Sequence, residues 1–275
     1  MTWINALILG LVQGLTEFLP ISSSGHLAIL QHFMGIKEPM VFFDIMLHLG
    51  TLFAIFVYFR EDILNLLAAL AGRDIVAADA GFVWTGTRTQ AWRYAVWLVI
   101  GTIPAGIAGL AFNDAIHDAF TGIRVPAVCL LVTGTFLFFA GRVSEGKAEA
   151  HQSPWHVALL IGCAQAVALL PGISRSGATI CAALFLGFSR NAAARFSFFL
   201  AIIAILGATV LESKDVIGSG SVPFMSYTIL GAGAAFISGL IALYVLIGML
   251  RRGNLGLFAY YCWALGAAML GISLF

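Results

Sequence analysis

Long apolar segments separated by short polar ones dominate this chain. Six of them continue without a break for close to the ~20 residues that one helix needs to cross a bilayer. They are Phe43–Phe59, Tyr94–Phe112, Val125–Ala140, Phe196–Leu211, Phe224–Leu250 and Leu257–Phe275. None alternates apolar and polar positions as the strands of a membrane barrel would. The pattern therefore predicts an all-α polytopic membrane protein with six full spans.

Two further apolar segments differ because a polar run interrupts each of them near its middle. Residues 3–34 are broken by Pro20 and the serines that follow it, and residues 155–188 are broken between Pro171 and Gly177. Each segment is too long for one span and too short for two spans and a turn. Irregular backbone at membrane depth needs protein or a wet cavity around it. We expect each segment to form a re-entrant helical hairpin.

The two broken segments introduce two halves with the same order of elements. When the second half is aligned to the first with an offset of about 152 positions, small and polar residues of the two halves fall at matching places. Later in the chain the offset between matching residues is smaller. The pairs include Gly10 and Gly162, Gln13 and Gln165, Ser22 and Ser174, Ser24 and Ser176, Gly25 and Gly177, and Gly101 and Gly231. Chance similarity of Gly-rich segments is the weaker explanation, because both halves carry Ser-x-Ser-Gly after Leu-Pro.

We interpret residues 1–141 and 155–275 as two repeats joined by a linker at 142–154. Each repeat has a hairpin and three spans, and an odd number of spans gives the halves opposite topology in the membrane. The fold class predicted is thus two inverted-topology repeats, each a re-entrant helical hairpin plus three transmembrane helices.

The basic residues predict the orientation. One side of the membrane would hold Arg60, Arg73, Arg88, Arg93, Arg142, Lys147, Arg190, Arg195, Arg251 and Arg252, and the other Lys37, Arg124 and Lys214. Because cytoplasmic loops carry the excess of Lys and Arg, the linker is expected in the cytoplasm and both termini on the outer side of the membrane. The stretch from Glu61 to Trp92 is predicted to be a connecting loop on the cytoplasmic surface.

Composition agrees with this class and excludes others. The chain is 61% hydrophobic and 10% charged, with a mean hydropathy of +0.99, whereas soluble domains are about 25% charged. The few Lys and Arg residues form no basic patch, so we expect no nucleic-acid partner, and the net charge of +1 by itself says nothing about an acidic one. The four cysteines lie in apolar stretches without paired spacing, so we expect packing thiols. A Walker A motif is missing from the sequence, which argues against an ATP-driven machine.

The first hairpin carries ionisable groups where hydrocarbon would make them costly. Gln13 and Glu17 are four residues apart and share one face of a helix. Ser22, Ser23, Ser24 and Gly25 precede a helix expected to begin near His26, so their N–H groups and hydroxyls converge where an anion is favoured. Plain helix capping by the serines, and a Glu17 satisfied by a hydroxyl or a helix end, are the alternatives.

The second hairpin places Arg175 among Ser174, Ser176 and Gly177. A guanidinium is suited to bidentate contact with phosphate. Because inverted hairpins meet near the membrane centre, we expect Arg175 close to Glu17, the serines and His26. A cation, a helix-end cradle, hydroxyls, a carboxylate and an imidazole are the parts that phosphoryl transfer requires, although a purely structural ion pair is the alternative.

Asp44 and His48 form another pair four residues apart, at the outer end of the first full span. They would either support a metal or the entrance of the site, or form a solvated pair at the membrane interface.

Three motifs together resemble the bacterial undecaprenyl-diphosphate phosphatases of the bacitracin-resistance type. They are Gln13-x-x-x-Glu17, Pro20-Ile-Ser-Ser-Ser-Gly-His26 and Pro171-Gly-Ile-Ser-Arg-Ser-Gly177, in order and with compatible spacing over essentially the whole chain. The type-2 phosphatidic acid phosphatases share Ser-Gly-His, but the spaced His and Asp of their dyad do not follow Ser174-Arg175 here.

The resemblance implies hydrolysis of the terminal phosphate of undecaprenyl diphosphate at the outer face of the bacterial plasma (inner) membrane, with the active site facing the periplasm or exterior. This reaction regenerates the lipid carrier for peptidoglycan synthesis. The resemblance also implies that the enzyme uses a divalent cation, Mg²⁺ or Ca²⁺, and that bacitracin competes for the substrate. It is compatible with a homodimer. It marks Glu17, Ser23, His26 and Arg175 as catalytic and Gln13, Ser22, Ser24, Gly25, Ser174, Ser176 and Gly177 as lining the site. Glu17 is also the main candidate metal ligand. Position 13 is Glu or Gln in such proteins, and Gln13 here lacks the negative charge that a glutamate would offer to the metal.

The sequence leaves the mechanism open. Ser23 is the favoured nucleophile, with direct attack by water as the alternative. Glu17 would accept the proton of Ser23, directly or through His26, or would bind the metal. Inverted repeats with broken helices also occur in secondary transporters and lipid flippases, so transport of an anionic lipid or small anion is the rival function.

Overall fold

Twelve α-helices make up the computed structural model, which describes residues 2–36, 40–73, 87–120, 122–219 and 225–273. In chain order they are α1 (Trp3–Phe18), α2 (Ser23–Phe33), α3 (Val41–Tyr58), α4 (Arg60–Leu70), α5 (Arg88–Ala111), α6 (Asn113–Ala119), α7 (Arg124–Ala140), α8 (Trp155–Val167), α9 (Arg175–Phe185), α10 (Arg190–Ser219), α11 (Met225–Arg251) and α12 (Gly256–Ile272). A single 3₁₀ turn, Ala150–Gln152, lies in the linker before α8.

Four of these helices are long and apolar enough to cross a membrane, namely α3, α5, the Arg190–Leu211 part of α10, and α11. Helices α7 and α12 are equally apolar in character but shorter, at 17 residues each. The prediction of an all-helical, multi-pass membrane protein is therefore confirmed. The number of six full spans stays a prediction, because it counts α7 and α12.

Several predicted boundaries change in the structure. Helix α10 begins at Arg190, ahead of the predicted Phe196. The loop expected over Glu61 to Trp92 is wrong in part, since α4 is helical and α5 already begins at Arg88. Acidic residues in the first turn of α4 favour its start, and Leu66 and Ala69 supply a buried face that the polar composition concealed. Lys37, residues 74–86, Phe224, Phe275 and the side chain of Lys214 lie outside the described residues.

Each broken segment forms a pair of short helices that pack against each other, α1 with α2 and α8 with α9. The second helix of each pair begins where a serine caps it. Ser22 Oγ accepts a hydrogen bond from Gly25 N at 3.3 Å, and Ser174 Oγ accepts one from Gly177 N at 3.1 Å. Helix α2 therefore begins at Ser23, three residues before the predicted His26, because a capping serine satisfies the first turn.

Close glycine contacts hold the two predicted halves together. Helix α1 packs on α11 with Gly10 against the carbonyl of Gly231, and α8 packs on α5 with Gly162 against the carbonyl of Gly101. A Cβ atom at Gly10 or Gly162 would overlap the facing backbone, so only glycine allows the helices this close. The first helix of each half thus lies against a helix of the other half.

An aromatic cluster and an ion pair join α3, α4, α5 and α10 below the site. The rings of Phe59 and Phe198 lie 5.6 Å apart, and Tyr94 contacts Phe199 at 5.8 Å. Beside them Arg195 Nε lies 3.3 Å from Asp62 Oδ1, and both side chains are buried. This core anchors α10, which also supports the arginine of the candidate site.

We expect Gly162→Ala to lower the free energy of unfolding by about 1–3 kcal/mol, because an added methyl group would force α8 away from α5. Thermal unfolding of the protein in detergent measures this change. Gly248→Ala is the matched control, since its side of α11 is open and alanine favours a helix by up to about 1 kcal/mol over glycine. Equal stability of the two variants would contradict the close packing.

Candidate active site

The two broken segments meet at an ion pair whose carboxylate is buried and whose guanidinium is partly buried. Glu17, near the end of α1, has a side chain that is 4% exposed, and Arg175 is the first residue of α9. Arg175 Nη2 donates directly to Glu17 Oε1 across 158 positions of sequence. The structure therefore brings together the carboxylate and the guanidinium that the sequence pattern singled out.

Ser23 contacts the other oxygen of the same carboxylate. Its Oγ donates to Glu17 Oε2 at 2.5 Å, and Gln13 Nε2 donates to that oxygen at 3.0 Å. Three donors consequently fix the orientation of the Glu17 carboxylate. A hydroxyl hydrogen-bonded to a positioned carboxylate is the arrangement in which a serine can lose its proton as it attacks an electrophile.

The other serines of the two motifs shape the loops. Ser22 Oγ lies 3.2 Å from Ser24 Oγ, and Ser174 Oγ lies 3.1 Å from Ser176 Oγ, so the two loops repeat one arrangement. Ser22 and Ser174 each cap a helix, which is the alternative, purely structural role that the sequence allowed for these serines. The N-termini of α2 and α9 nevertheless lie beside Glu17, where Ser23 and Arg175 begin those helices. Their unpaired N–H groups favour an anion at this point.

The N-terminal end of α9 is held by two neighbouring helices. Thr133 of α7 donates to Gly172 O at 3.0 Å and accepts from Ser174 N at 3.3 Å. Arg175 Nη1 donates to Ala201 O of α10 at 3.3 Å. The backbone before α9 turns through Gly172 at a φ of +94°, a conformation that favours glycine. Arg175 is therefore fixed from both sides of its helix.

His26 lies near this group but bonds elsewhere. Its Nδ1 donates to Ser22 O at 2.7 Å, because a carbonyl can only accept, and its Nε2 then accepts from Tyr261 Oη at 2.7 Å. Both ring nitrogens are occupied by partners other than Glu17 and Ser23. Ser23 can therefore pass its proton directly to Glu17, to which it is hydrogen-bonded. His26 is hydrogen-bonded to neither residue in the structure and so does not connect them. Sequence reasoning missed Tyr261, whose signal is a hydroxyl in an apolar helix.

His48 lies closer to the carboxylate than His26 does. Its Nε2 is 3.8 Å from Glu17 Oε2, and its Nδ1 donates to Asp44 O at 2.8 Å. The Asp44 carboxylate accepts from Gln31 Nε2 at 3.0 Å. Of the two interpretations of the Asp44 and His48 pair, the geometry favours support of the site, with His48 beside Glu17.

An apolar cavity of about 520 Å³ opens next to the first loop, between α1 and the start of α12. Val12, Leu15, Leu19 and Leu257 line most of it, and His26 and Tyr261 form a polar end. The bonded pair His26 and Tyr261 therefore lies in the cavity wall together with Ile21 of the loop that carries Ser23.

These features define a class of protein: a polytopic helical membrane protein whose buried carboxylate, guanidinium and hydroxyl suit chemistry on a phosphate group. Comparison with known proteins gives the family. The profile described as "Bacitracin resistance protein BacA" matches residues 6–268, and the chain belongs to that family.

Three full-length relatives of this chain are each described as an undecaprenyl-diphosphatase. The chain is 44% identical to the undecaprenyl-diphosphatase of Desulfosudis oleivorans over 98% of each chain. It is 44% identical to that of Syntrophotalea carbinolica over 99% of this chain and 100% of the relative. It is 40% identical to that of Alkaliphilus metalliredigens over 100% of both.

We expect Arg175→Gln to lower the free energy of unfolding by about 3–5 kcal/mol, because the change leaves the Glu17 carboxylate buried without its cation. Arg60→Gln is the control. Its ion pair with Glu61 is exposed at the surface and is worth less than about 1 kcal/mol. Thermal unfolding in detergent compares the two, and an Arg175→Gln protein as stable as Arg60→Gln would show that Glu17 does not depend on this guanidinium.

Proposed function

We propose that this protein is an undecaprenyl-diphosphatase that releases the terminal phosphate of undecaprenyl diphosphate through attack by Ser23. The hydrogen bond from Ser23 Oγ to Glu17 Oε2, beside the Arg175 guanidinium, is the observation that carries the proposal. The family and the name shared by the full-length relatives support the reaction and its substrate. The apolar cavity beside the loop agrees with a lipid substrate.

In the first step Ser23 Oγ attacks the terminal phosphorus while Glu17 accepts its proton. The bond from that phosphorus to the bridging oxygen breaks, and undecaprenyl phosphate leaves with the bonding electrons. Arg175 and the helix N-termini at Ser23 and Arg175 stabilise the negative charge on the phosphoryl oxygens. Glu17 passes the proton from Ser23 to the leaving undecaprenyl phosphate and is ionised again. In the second step Glu17 takes a proton from the attacking water, the bond from phosphorus to Ser23 Oγ breaks, and Glu17 returns the proton to Ser23 Oγ as inorganic phosphate is released. Direct attack by water on the substrate remains the alternative.

A divalent cation fits the donors around Glu17. Gln13 Oε1 is fully buried and is one of the side-chain oxygens in the described residues without a hydrogen-bond partner. Glu17 and Gln13 would hold Mg²⁺ or Ca²⁺ through oxygen, as both cations prefer. In the described part of the chain no three His, Cys, Asp or Glu residues form a metal group, so substrate oxygens would complete the coordination. Such a cation supplies positive charge to the phosphate oxygens.

The inverted repeat and the orientation belong to the same proposal. The reciprocal contacts of Gly10 with Gly231 and of Gly162 with Gly101 support two equivalent halves. The identical serine caps of α2 and α9 support equivalent hairpins. With the linker 142–154 in the cytoplasm, the site would open to the outer face of the plasma membrane, where the lipid carrier is regenerated. Competition by bacitracin for the diphosphate and a homodimeric state remain predictions.

We expect Ser23→Ala to reduce phosphate release from undecaprenyl diphosphate by at least about 10³-fold, because removal of a nucleophile leaves only binding and charge stabilisation. Release of inorganic phosphate by the purified protein in detergent measures this. Thr135→Ala is the matched control, since that hydroxyl donates to Leu131 O and accepts from Trp263 Nε1 and is not bonded to the residues of the site. Trapping of a phosphoserine in the Ser23→Ala protein would reject Ser23, and substrate movement in vesicles without any phosphate release would favour a transporter.

For the orientation we expect alkaline phosphatase fused to either terminus to be active and green fluorescent protein at either terminus to be dark, since both termini would lie outside. The same two reporters fused to chains ending in the linker 142–154 should give the opposite signals. A fluorescent fusion at the N-terminus or the C-terminus would refute the proposed topology.

A further inference from the structure

We propose that His48 is a nitrogen ligand of a divalent cation that binds at Glu17 together with the diphosphate. The inference rests on the proposed function, and it concerns a histidine outside the motifs that pointed to that function. It assigns His48 to the cation and His26 to the structure of the loop.

The tautomer of His48 is fixed by its first hydrogen bond. Nδ1 lies 2.8 Å from the carbonyl oxygen of Asp44, which only accepts, so Nδ1 carries the proton. In the neutral ring Nε2 then presents a lone pair. Metal-binding histidines are usually arranged this way, with the second ring nitrogen donating to a carbonyl or carboxylate that fixes the ring.

The free nitrogen points at the carboxylate that the cation would use. His48 Nε2 lies 3.8 Å from Glu17 Oε2, and a lone pair and a carboxylate oxygen at this distance attract each other poorly without something positive between them. Ligands lie about 2.0–2.2 Å from small divalent cations, so two ligands of one cation are at most about 4.4 Å apart. The measured separation is within that limit.

The orphaned amide oxygen of Gln13 is the second observation. Gln13 Oε1 is buried and has no hydrogen-bond partner among the described residues, while the nitrogen of the same amide donates to Glu17 Oε2. An unpaired buried oxygen is unfavourable, and a bound cation would remove this cost. Gln13 and His48 thus both lie next to Glu17 Oε2, Gln13 through its amide nitrogen at 3.0 Å and His48 through Nε2 at 3.8 Å, and the orphaned oxygen belongs to that same amide.

His26 lacks the features that suit His48 to this role. Both of its ring nitrogens already have partners, Ser22 O and Tyr261 Oη. The side chain of His48 is also 35% exposed, whereas that of Glu17 is 4% exposed, so His48 lies on the accessible side of the carboxylate. A cation arriving with the substrate would meet His48 first.

Arg175 limits how tightly the cation binds alone. The guanidinium already neutralises Glu17, and among the described residues no three His, Cys, Asp or Glu side chains form a group that could hold a metal, so strong binding needs the charge of the diphosphate. We therefore expect weak binding of Mn²⁺ by the protein and at least tenfold tighter binding when methylenediphosphonate, a diphosphate with a carbon bridge, is present.

Electron spin echo modulation of bound Mn²⁺ detects directly coordinated nitrogen and does not depend on turnover. We expect nitrogen modulation in the full-length protein in detergent with Mn²⁺ and methylenediphosphonate, and a changed pattern when the histidines carry ¹⁵N. His48→Gln should remove the modulation and weaken Mn²⁺ binding at least about tenfold. His26→Gln is the matched control and should keep the modulation.

Two outcomes would overturn the inference. One is modulation that persists in His48→Gln or disappears in His26→Gln. The other is bound Mn²⁺ in the unchanged protein without any response to ¹⁵N-histidine, a measurement that needs no variant to fold. Phosphate release by the same preparation separates the two proposals: activity without histidine coordination rejects His48 alone, and coordination without phosphate release rejects the proposed function instead.

Discussion

The contact between Glu17 and Arg175 is the interaction on which the rest of the structure depends. A carboxylate at this depth is stable only with a charged partner, and that partner comes from the other half of the chain. The contact requires both short loops to meet, which in turn requires the capping serines and the close packing of α1 on α11 and α8 on α5. The glycines and the site are therefore parts of one constraint, because the distance between the halves decides whether the two charges meet.

Much of this could be predicted because membrane helices have few ways to satisfy polar groups. Long apolar runs gave the helices, and a charged residue inside such a run needed a partner, so Glu17 and Arg175 could be paired across the two motifs. The environment of each imidazole could not be predicted. His26 stands inside a motif yet bonds to Tyr261, whose position depends on how α12 packs. His48 stands outside the motifs yet lies beside Glu17, since the rotation of α3 about its axis is set by packing on α11.

The serines show a second limit of sequence reasoning. Four hydroxyls in matched loops suggest ligands for an anion, but two of them cap helices and the other two bond to those caps. Ser23 differs because it has no counterpart among the serines of the second loop, where Arg175 stands instead. The two loops thus share one shape and differ at the position whose side chain contacts Glu17, a hydroxyl in the first loop and a guanidinium in the second. A symmetric framework here supports an asymmetric site.

The contact of α1 with α11 has a consequence for how the protein is made. The ribosome releases α1 first, but the surface on which it packs emerges only after most of the chain has been synthesised. During translation the first hairpin must wait in the translocon or the lipid with its carboxylate lacking Arg175, and premature termination yields a chain in which that charge is never neutralised.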